Sequence, residues 1–404
     1  MKSHPVDLPL EGVKVLDLTR LIPGAVCTSI LGDRGAEVIK VEEVRVGDYE
    51  RQIRPLIDSV ASRFLILNRN KKSIALNLKE GQGREIFFEM AREADVVVEG
   101  FRPGVMKKLG LDYEVLRDIN HSLIYSSISS FGQDGPFRDV VAHDINILGL
   151  SGFFDVTGMK DGPPVIPGAP IVDSVAGMNA ALGILMALMS RGKTGRGQFL
   201  DISMFDGMIS LMFDAARYAF AGEDVPRRGD GRLWGGFPNY NLYETEDGKY
   251  ITVGSLETKF KNILVRKLGR DDLVDEGDEI TSTELKESDR ELSSFLRETF
   301  LTKTRDEWME ELGELNICVG PVNSVEETLV HPQASFREMV FNSEHPSAGK
   351  IRQIGSPLKF SDIPTDVDHL PAPRLGEQTK EILEHLGYGE GEISDLATRS
   401  IVRV

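Results

Sequence analysis

The chain has 404 residues, 41% of them apolar, a formal net charge of −17 and two cysteines. That length exceeds the usual size of one hydrophobic core and predicts two domains, while the acidity argues against nucleic acid as the main partner. Cys27 and Cys318 alone build no disulfide framework, which makes a reducing cytoplasm the expected compartment. No CxxC or HExxH spacing occurs, so no metal is expected. The opening MKSHPVDLPL lacks an apolar signal core. No apolar run is read as long enough for a bilayer, 180–189 being a buried helix instead, and no membrane partner is expected.

In chain order, VKVLDL (13–18), EVIKVE (37–42), SIALNL (73–78), DVVVEG (95–100) and LIYSSIS (123–129) are short apolar runs rich in β-branched residues. Amphipathic stretches at 24–34, 80–93 and 104–118 separate them. This rhythm predicts βα units and an α/β fold with a mostly parallel sheet. Segment 174–190 is apolar nearly all round and predicts a packed helix, followed by a strand at 198–204. Gly, Pro and charge crowd 221–240, which reads as a linker. Beyond it lie a hairpin at 243–254 with Asp-Gly at its turn, charged helices to about 330, and acidic material around 271–290 that reads as solvated surface. A Pro-rich tail at 356–373 and a last helix at 376–387 follow. The expected division is a large domain over 1–220, a linker and small domain over 221–330, and a segment 331–404 returning to the first.

Positive charge concentrates in one place: Arg63, Arg69, Lys71 and Lys72 fall within ten residues, with Asn68 and Asn70 among them. Ligands of open α/β sheets bind beyond the carboxyl ends of the strands, so Lys40 at the end of one strand and Arg102 after another are anion-facing candidates. Together these residues predict a phosphorylated ligand. Neither a Walker loop nor a GxGxxG follows the first strand, which disfavours nucleotide hydrolysis and a dinucleotide dehydrogenase. Asp173 precedes the apolar helix read from Ser174, where an N-cap role and a role as base or nucleophile are both open. His143 lies in AHDIN beside Asp144, after a Gly/Pro loop. Glu257, in VGSLETKF, reads locally as an ion-pair partner of Lys259 or Lys261.

LEGVKVLDLTRLIPGAVCTSILGDRGAEVIKVE (10–42), LNRNKKSIALNL (67–78), VEGFRPGVMKKLGLDYEVL (98–116), SSFGQDGPF (129–137), AHDINILGLSG (142–152), the Asp173 helix and GRGQFLDISMFDG (195–207) together carry a resemblance over nearly the whole chain. It resembles the class III CoA-transferase superfamily, and within it the α-methylacyl-CoA racemases. The racemase likeness implies that His143 and Asp173 are two acid/base groups on opposite faces of a carbon next to a thioester, with Glu257 supporting the histidine. An amide near Asp144 or at the Asp173 helix start would serve the enolate oxygen. The expected activity is therefore racemisation of 2-methylacyl-CoA esters. The alternative is a CoA-transferase, in which Asp173 is acylated and then carries CoA as a thioester; Gly235-Gly236 resembles the glycine loop of that branch. Under either reading coenzyme A is part of the substrate and there is no separate cofactor. Its expected contacts are Lys40, Arg69, Lys71, Lys72, Glu99 and Arg102. For the fold, the resemblance implies a Rossmann-like large domain, a smaller α+β domain, and an interlocked homodimer in which Glu257 can act across subunits. A catalytically inactive CoA-binding protein and a non-CoA oxidoreductase are the rival classes.

Overall fold

The computed structural model describes residues 8–275, 285, 287–363 and 369–404. The N-terminal MKSHPVD stretch, and parts of the acidic 271–290 and Pro-rich 356–373 stretches, lie outside the described residues. The chain divides into two compact units: Met1–Ile147 with Ala169–Leu211 and Pro332–Val404, and Leu148–Gly168 with Met212–His331. The boundary at Met212 thus falls nine residues before the linker read at 221, and Leu148–Gly168 joins the second unit.

The first unit opens with β1 (Lys14–Asp17), α1 (Leu21–Gly32), β2 (Glu37–Glu42), a small hairpin of β3 (Leu56–Ile57) and β4 (Val60–Ala61), and α2 (Ser62–Leu67). It continues through β5 (Lys71–Leu76), α3 (Gly81–Glu93), β6 (Val96–Glu99), α4 (Val105–Leu109), α5 (Tyr113–Ile119), β7 (Ile124–Ser129) and α6 (Asp144–Leu150). After α7 (Phe153–Val156) of the second unit come α8 (Ile171–Thr194), β8 (Phe199–Ser203) and α9 (Met204–Leu211). The β-branched runs of the sequence pair as β5-β2-β1-β6-β7-β8, all parallel, with the terminal β14 (Val402–Arg403) antiparallel at the β5 edge. Strand order reverses between β1 and β6. This is the topological switch point, beyond whose strand ends open α/β sheets bind their ligands.

Side-chain alternation sends Leu16, Ile39, Ile74 and Val97 into one core with Ile86 and Phe87 of α3 and Leu383 and Leu396 of the C-terminal segment. The opposite face carries Asp17, Lys40 and Lys71, all fully buried. Asp17 and Lys40 are register partners on neighbouring strands. Lys40 Nζ lies 2.8 Å from Asp48 and 3.9 Å from Asp17, and donates to the Thr19 carbonyl at 2.9 Å. Lys71 Nζ reaches Asp17 at 3.3 Å, Thr28 Oγ1 of α1 at 2.7 Å and Asn68 Oδ1 at 2.9 Å. Burial alone would raise the Asp17 pKa, but the two ammonium groups outweigh it and hold it below the ordinary value. Burial lowers Lys71 to about 8 despite Asp17.

Helix α8 begins at Ile171, earlier than the sequence suggested, and runs 24 residues until Gly195 in the left-handed conformation stops it. Against the expectation from sequence, it is long and apolar enough to cross a membrane by length and composition. Within the unit its small residues Ala176, Gly177, Ala180 and Ala181 are buried and it lies against α1. A Cβ on Gly177 would meet the Pro23 carbonyl at 2.5 Å and Val26 Cβ at 2.7 Å, so only glycine permits this approach.

The second unit holds the antiparallel sheet of β9 (Asn241–Glu244), β10 (Tyr250–Val253) and β11 (Val319–Pro321). Asp247-Gly248 turns the hairpin, with Gly248 at φ +70°. Tyr243, Ile251, Leu264, Leu296, Phe300 and Trp308 form its core. An antiparallel hairpin, β12 (Val340–His345) and β13 (Gly349–Ile354), returns the chain to the first unit.

Replacing Lys40 by Met strands the buried Asp48 carboxylate and leaves Asp17 with Lys71 as its one ammonium partner among the described residues. It should cost about 3–5 kcal/mol of folding stability, read as a lower guanidinium midpoint.

Candidate active site

Asp173 is the third residue of α8, not its N-cap; Pro170 holds that position and supplies no side-chain cap. The cap comes from elsewhere in the sequence. Asp144 Oδ2 accepts from the Val172 amide at 2.8 Å and the Asp173 amide at 3.3 Å, tying the start of α6 to the start of α8. The positive end of the α8 dipole suits that carboxylate. Asn146 Oδ1 accepts from the His143 amide at 2.9 Å and fixes the turn that presents the histidine. His143 itself is exposed, and its ring makes no hydrogen bond among the described residues.

Half-buried Asp173 carries the unusual electrostatics. Burial raises its pKa first and the neighbouring Asp144 carboxylate second; His143 and Arg63 pull it down, Glu50 adds to the rise, and the result is about 6. The carboxylate is thus ionised at neutral pH yet poorly solvated, which suits a nucleophile or a base. The amides of Val172 and Asp173 are occupied by Asp144 and that of Ser174 by the Pro170 carbonyl, so these three are not free to serve an oxyanion. Among the described residues the Asp144 and Ile145 amides make no hydrogen bond and remain available for that task.

The expected coenzyme contacts separate into two groups. Lys40, Arg69 and Lys71 are interior: Arg69 is held by Asp33 through Nε at 2.9 Å and by the Ile66 carbonyl. Lys72 points to the opposite face of the sheet from Lys71 and bridges Glu37 and Glu381 at 2.8 and 2.9 Å. These four charges hold the fold together. Glu99, at the carboxyl end of β6, turns inward to accept from the Phe101 amide at 2.7 Å and from the Ser127 hydroxyl, and burial pushes it up to about 7. Arg102 is exposed beyond the same strand and has no side-chain partner among the described residues. Sequence reasoning missed Arg20, beyond β1 on the other side of the switch point. Its guanidinium lies 5.1 Å over the Tyr49 ring and 5.5 Å over that of Phe101. Its position one turn past the first strand was the available signal. Next to it Leu21 holds φ +65°, secured by its amide on Asp48 Oδ1 at 3.2 Å.

Glu257 belongs to the second unit, where it occupies the N-cap of α11 (Thr258–Lys267) without a side-chain cap bond. The ion pair read for it with Lys261 does not form, because that lysine serves Asp275 and Asp289 at 2.6 and 3.0 Å. Lys259 lies over the Phe260 ring. Gly235 adopts φ +94° and Gly236 donates to the Gly231 carbonyl, closing a tight turn of the same unit. Among the described residues no cluster of His, Cys, Asp and Glu could hold a metal.

Residues 10–379 match the model of CoA-transferase family III. The chain is 34% identical to a human (Homo sapiens) succinyl-CoA:glutarate CoA-transferase, over 98% of this chain and 90% of that one. It is 36% identical to a formyl-CoA:oxalate CoA-transferase of Rhodopseudomonas palustris, over 96% of each chain. Among solved structures, a CAIB/BAIF family protein from Brucella suis aligns with a TM-score of 0.80 at 32% identity, covering 94% of this chain and all of that one. Both named enzymes are CoA-transferases, which favours the transferase alternative over the racemase expectation.

An Asp173→Asn variant tests the raised pKa. Ionising a group whose folded pKa is raised destabilises the fold as pH climbs from 3.8 to about 6. The variant should therefore match the parent below pH about 4 and gain on the order of 1 kcal/mol above pH about 6, read by urea denaturation.

Proposed function

Because the chain belongs to CoA-transferase family III, we propose that it moves coenzyme A between carboxylic acids through covalent intermediates on Asp173. The supporting observation is the Asp173 carboxylate itself, raised to about 6 and set in a first helical turn whose amides are already occupied. The carboxylate attacks the thioester carbonyl, forming an acyl-aspartyl anhydride and releasing the CoA thiolate. That thiolate attacks the aspartyl carbonyl, giving an aspartyl-CoA thioester and the free donor acid. The acceptor carboxylate then attacks the aspartyl thioester, expelling the CoA thiolate and forming a second anhydride; the thiolate attacks the acceptor's acyl carbon, giving the product thioester and regenerating Asp173. Each tetrahedral oxyanion would draw on the free amides of Asp144 and Ile145. Arg20 and Arg102, flanking the switch point, would meet the phosphates of coenzyme A.

A second reading, racemisation, is supported by one observation: an unpartnered His143 within the electrostatic reach of Asp173. Two such groups could abstract and return a proton on opposite faces of an α-carbon. The homodimer also remains a proposal. It is supported by the outer face of α8, where Met178, Leu182, Met186 and Met189 recur at helical spacing with exposures of 51, 54, 63 and 71%. The free Cys27 and Cys318 fit a cytoplasmic setting.

Incubating the protein with an acyl-CoA and hydroxylamine should trap a hydroxamate on Asp173, and Asp173→Ala should abolish both the adduct and CoA transfer. With transfer as the assay, kcat/KM should fall below pH about 6 as the carboxylate protonates. Deuterium uptake at the α-carbon with no trapped adduct would decide for racemisation. Separately, light scattering should find a dimer that Leu182→Asp combined with Met186→Asp converts to monomer.

A further inference from the structure

We propose that the first unit carries a second binding site, a cavity on the other face of its sheet that takes a small monoamine with an apolar body about one ring in size. The site stands apart from Asp173 and holds under either reading of that residue.

Lys14 and Glu37 open β1 and β2 as register partners; two residues on, Leu16 pairs with Ile39, which pairs in turn with Lys72 of β5. Alternation points these five side chains to one face of the sheet, opposite Asp17, Lys40 and Lys71. They lie toward the amino ends of their strands, whereas an open α/β sheet takes its substrate beyond the carboxyl ends. Met90, Glu93 and Ala94 from the end of α3, with Ile382 and His385 from the helix Thr379–His385, line the same cavity of about 250 Å³. All of it belongs to the first unit. The floor is apolar: Leu16, Ile39, Met90 and Ile382 are only 1, 8, 5 and 7% exposed, and Ala94 contributes a methyl group. Water against such a floor finds no polar partners, and an apolar cavity of about 150 Å³ already holds a benzene ring. The volume therefore suits a ring with a short tail.

The rim decides what charge the tail carries. Lys14 Nζ donates to Glu93 Oε2 at 2.7 Å, and Lys72 Nζ donates to Glu37 Oε1 at 2.8 Å and Glu381 Oε1 at 2.9 Å. His385 Nε2 lies 3.2 Å from Glu93 Oε2. Both ammonium groups are thus engaged, while Glu37, Glu93 and Glu381 each keep one oxygen without a hydrogen bond among the described residues. With His385 uncharged, three carboxylates face two ammonium groups and leave the mouth with an excess negative charge. Helix α3 adds to it, because Glu93 stands in the last turn, at the negative end of the helix dipole. These rim side chains are between 31 and 63% exposed, so the mouth opens to solvent. An entering anion must displace a glutamate from a lysine. An ammonium meets carboxylate oxygens that are already open, while its apolar body covers the floor.

Phenethylammonium, 2-phenylethanol and 3-phenylpropionate share a ring and a two-carbon tail and differ in charge, which makes them the probes. Calorimetric titration of the full chain is run at pH about 8, where an ordinary imidazole is uncharged and an alkylamine still protonated. Phenethylammonium should saturate one site at least about tenfold more tightly than 3-phenylpropionate, with the alcohol between them. Saturating coenzyme A should leave these affinities unchanged. Glu381→Gln should narrow the difference. The Glu37→Gln/Glu381→Gln double variant turns the excess charge positive and should reverse the order in favour of 3-phenylpropionate. Ala94→Leu fills the cavity and should abolish binding of all three. Because that added bulk can unfold the sheet, its thermal unfolding is followed alongside, and the two glutamate variants, which add no bulk, carry the test if it does. No saturable binding in the parent chain, an order unchanged in the double variant, binding retained by a folded Ala94→Leu variant, or displacement by coenzyme A would each overturn the site.

Discussion

One carboxylate organises the candidate site: Asp144, which accepts two amides from the first turn of α8. Those amides would otherwise be unsatisfied donors at a helix end begun by proline, which offers neither an N–H nor a capping side chain. By meeting them from a different part of the chain, Asp144 fixes the histidine segment to the helix that carries Asp173. The same contact brings two carboxylates together: burial first, and this neighbouring charge second, raise Asp173 to about 6. The contact thus shapes both the backbone and part of the electrostatics of the site.

Beneath the switch point a second constraint operates. Lys40 and Lys71 are fully buried against Asp17 and Asp48, on strands and turns that converge where β1 ends. A buried ion pair contributes little net stability against an apolar alternative, but removing one partner leaves an expensive unpaired charge. The network therefore specifies geometry. It pins the Thr19 carbonyl and the Leu21 amide, and with them the left-handed turn that sets Arg20 beside Phe101. In a chain of net charge −17, the basic residues of this region are mostly consumed internally. Among the described residues the terminal nitrogens of Arg63 and the Arg102 guanidinium have no such partner.

The sheet was legible because its strands are short β-branched runs, and their period does not depend on what they pack against. EVIKVE at 37–42 became β2 without shift. The chemistry was less legible for a definite reason. Lys40 sits at a strand end, as an anion-binding residue would, but its register partner Asp17 is 23 positions earlier and its ion-pair partner Asp48 lies in a loop. No local pattern distinguishes a lysine that faces a phosphate from one that faces a buried carboxylate. The reading of Asp173 as an N-cap failed similarly, since the true cap is 29 residues away. The hairpin of β12 and β13 and the two-residue β14 escaped notice because they are edge elements, half-exposed and weakly patterned. Arg63 stood out in the sequence only as part of a basic cluster; its distinction is the buried glutamate that aims it.

Helix α8 shows how one segment meets opposing demands. Its inward face uses Ala and Gly so that α1 can approach closely, at Gly177 within contact of the Pro23 carbonyl. Its outward face carries methionines and a leucine whose exposure costs roughly 25 cal/mol for every Å² left in water. A sequence selected only for packing in one unit would place charge on that outer face, as α3 does with Arg84, Glu85, Arg92 and Glu93. The apolar outer face of α8 is therefore a demand for cover by another surface. Because Asp173 is in the first turn of the same helix, whatever covers that face also restrains the backbone holding the reactive carboxylate. In the proposed dimer, assembly and the chemistry proposed for Asp173 would be coupled through a single rigid element.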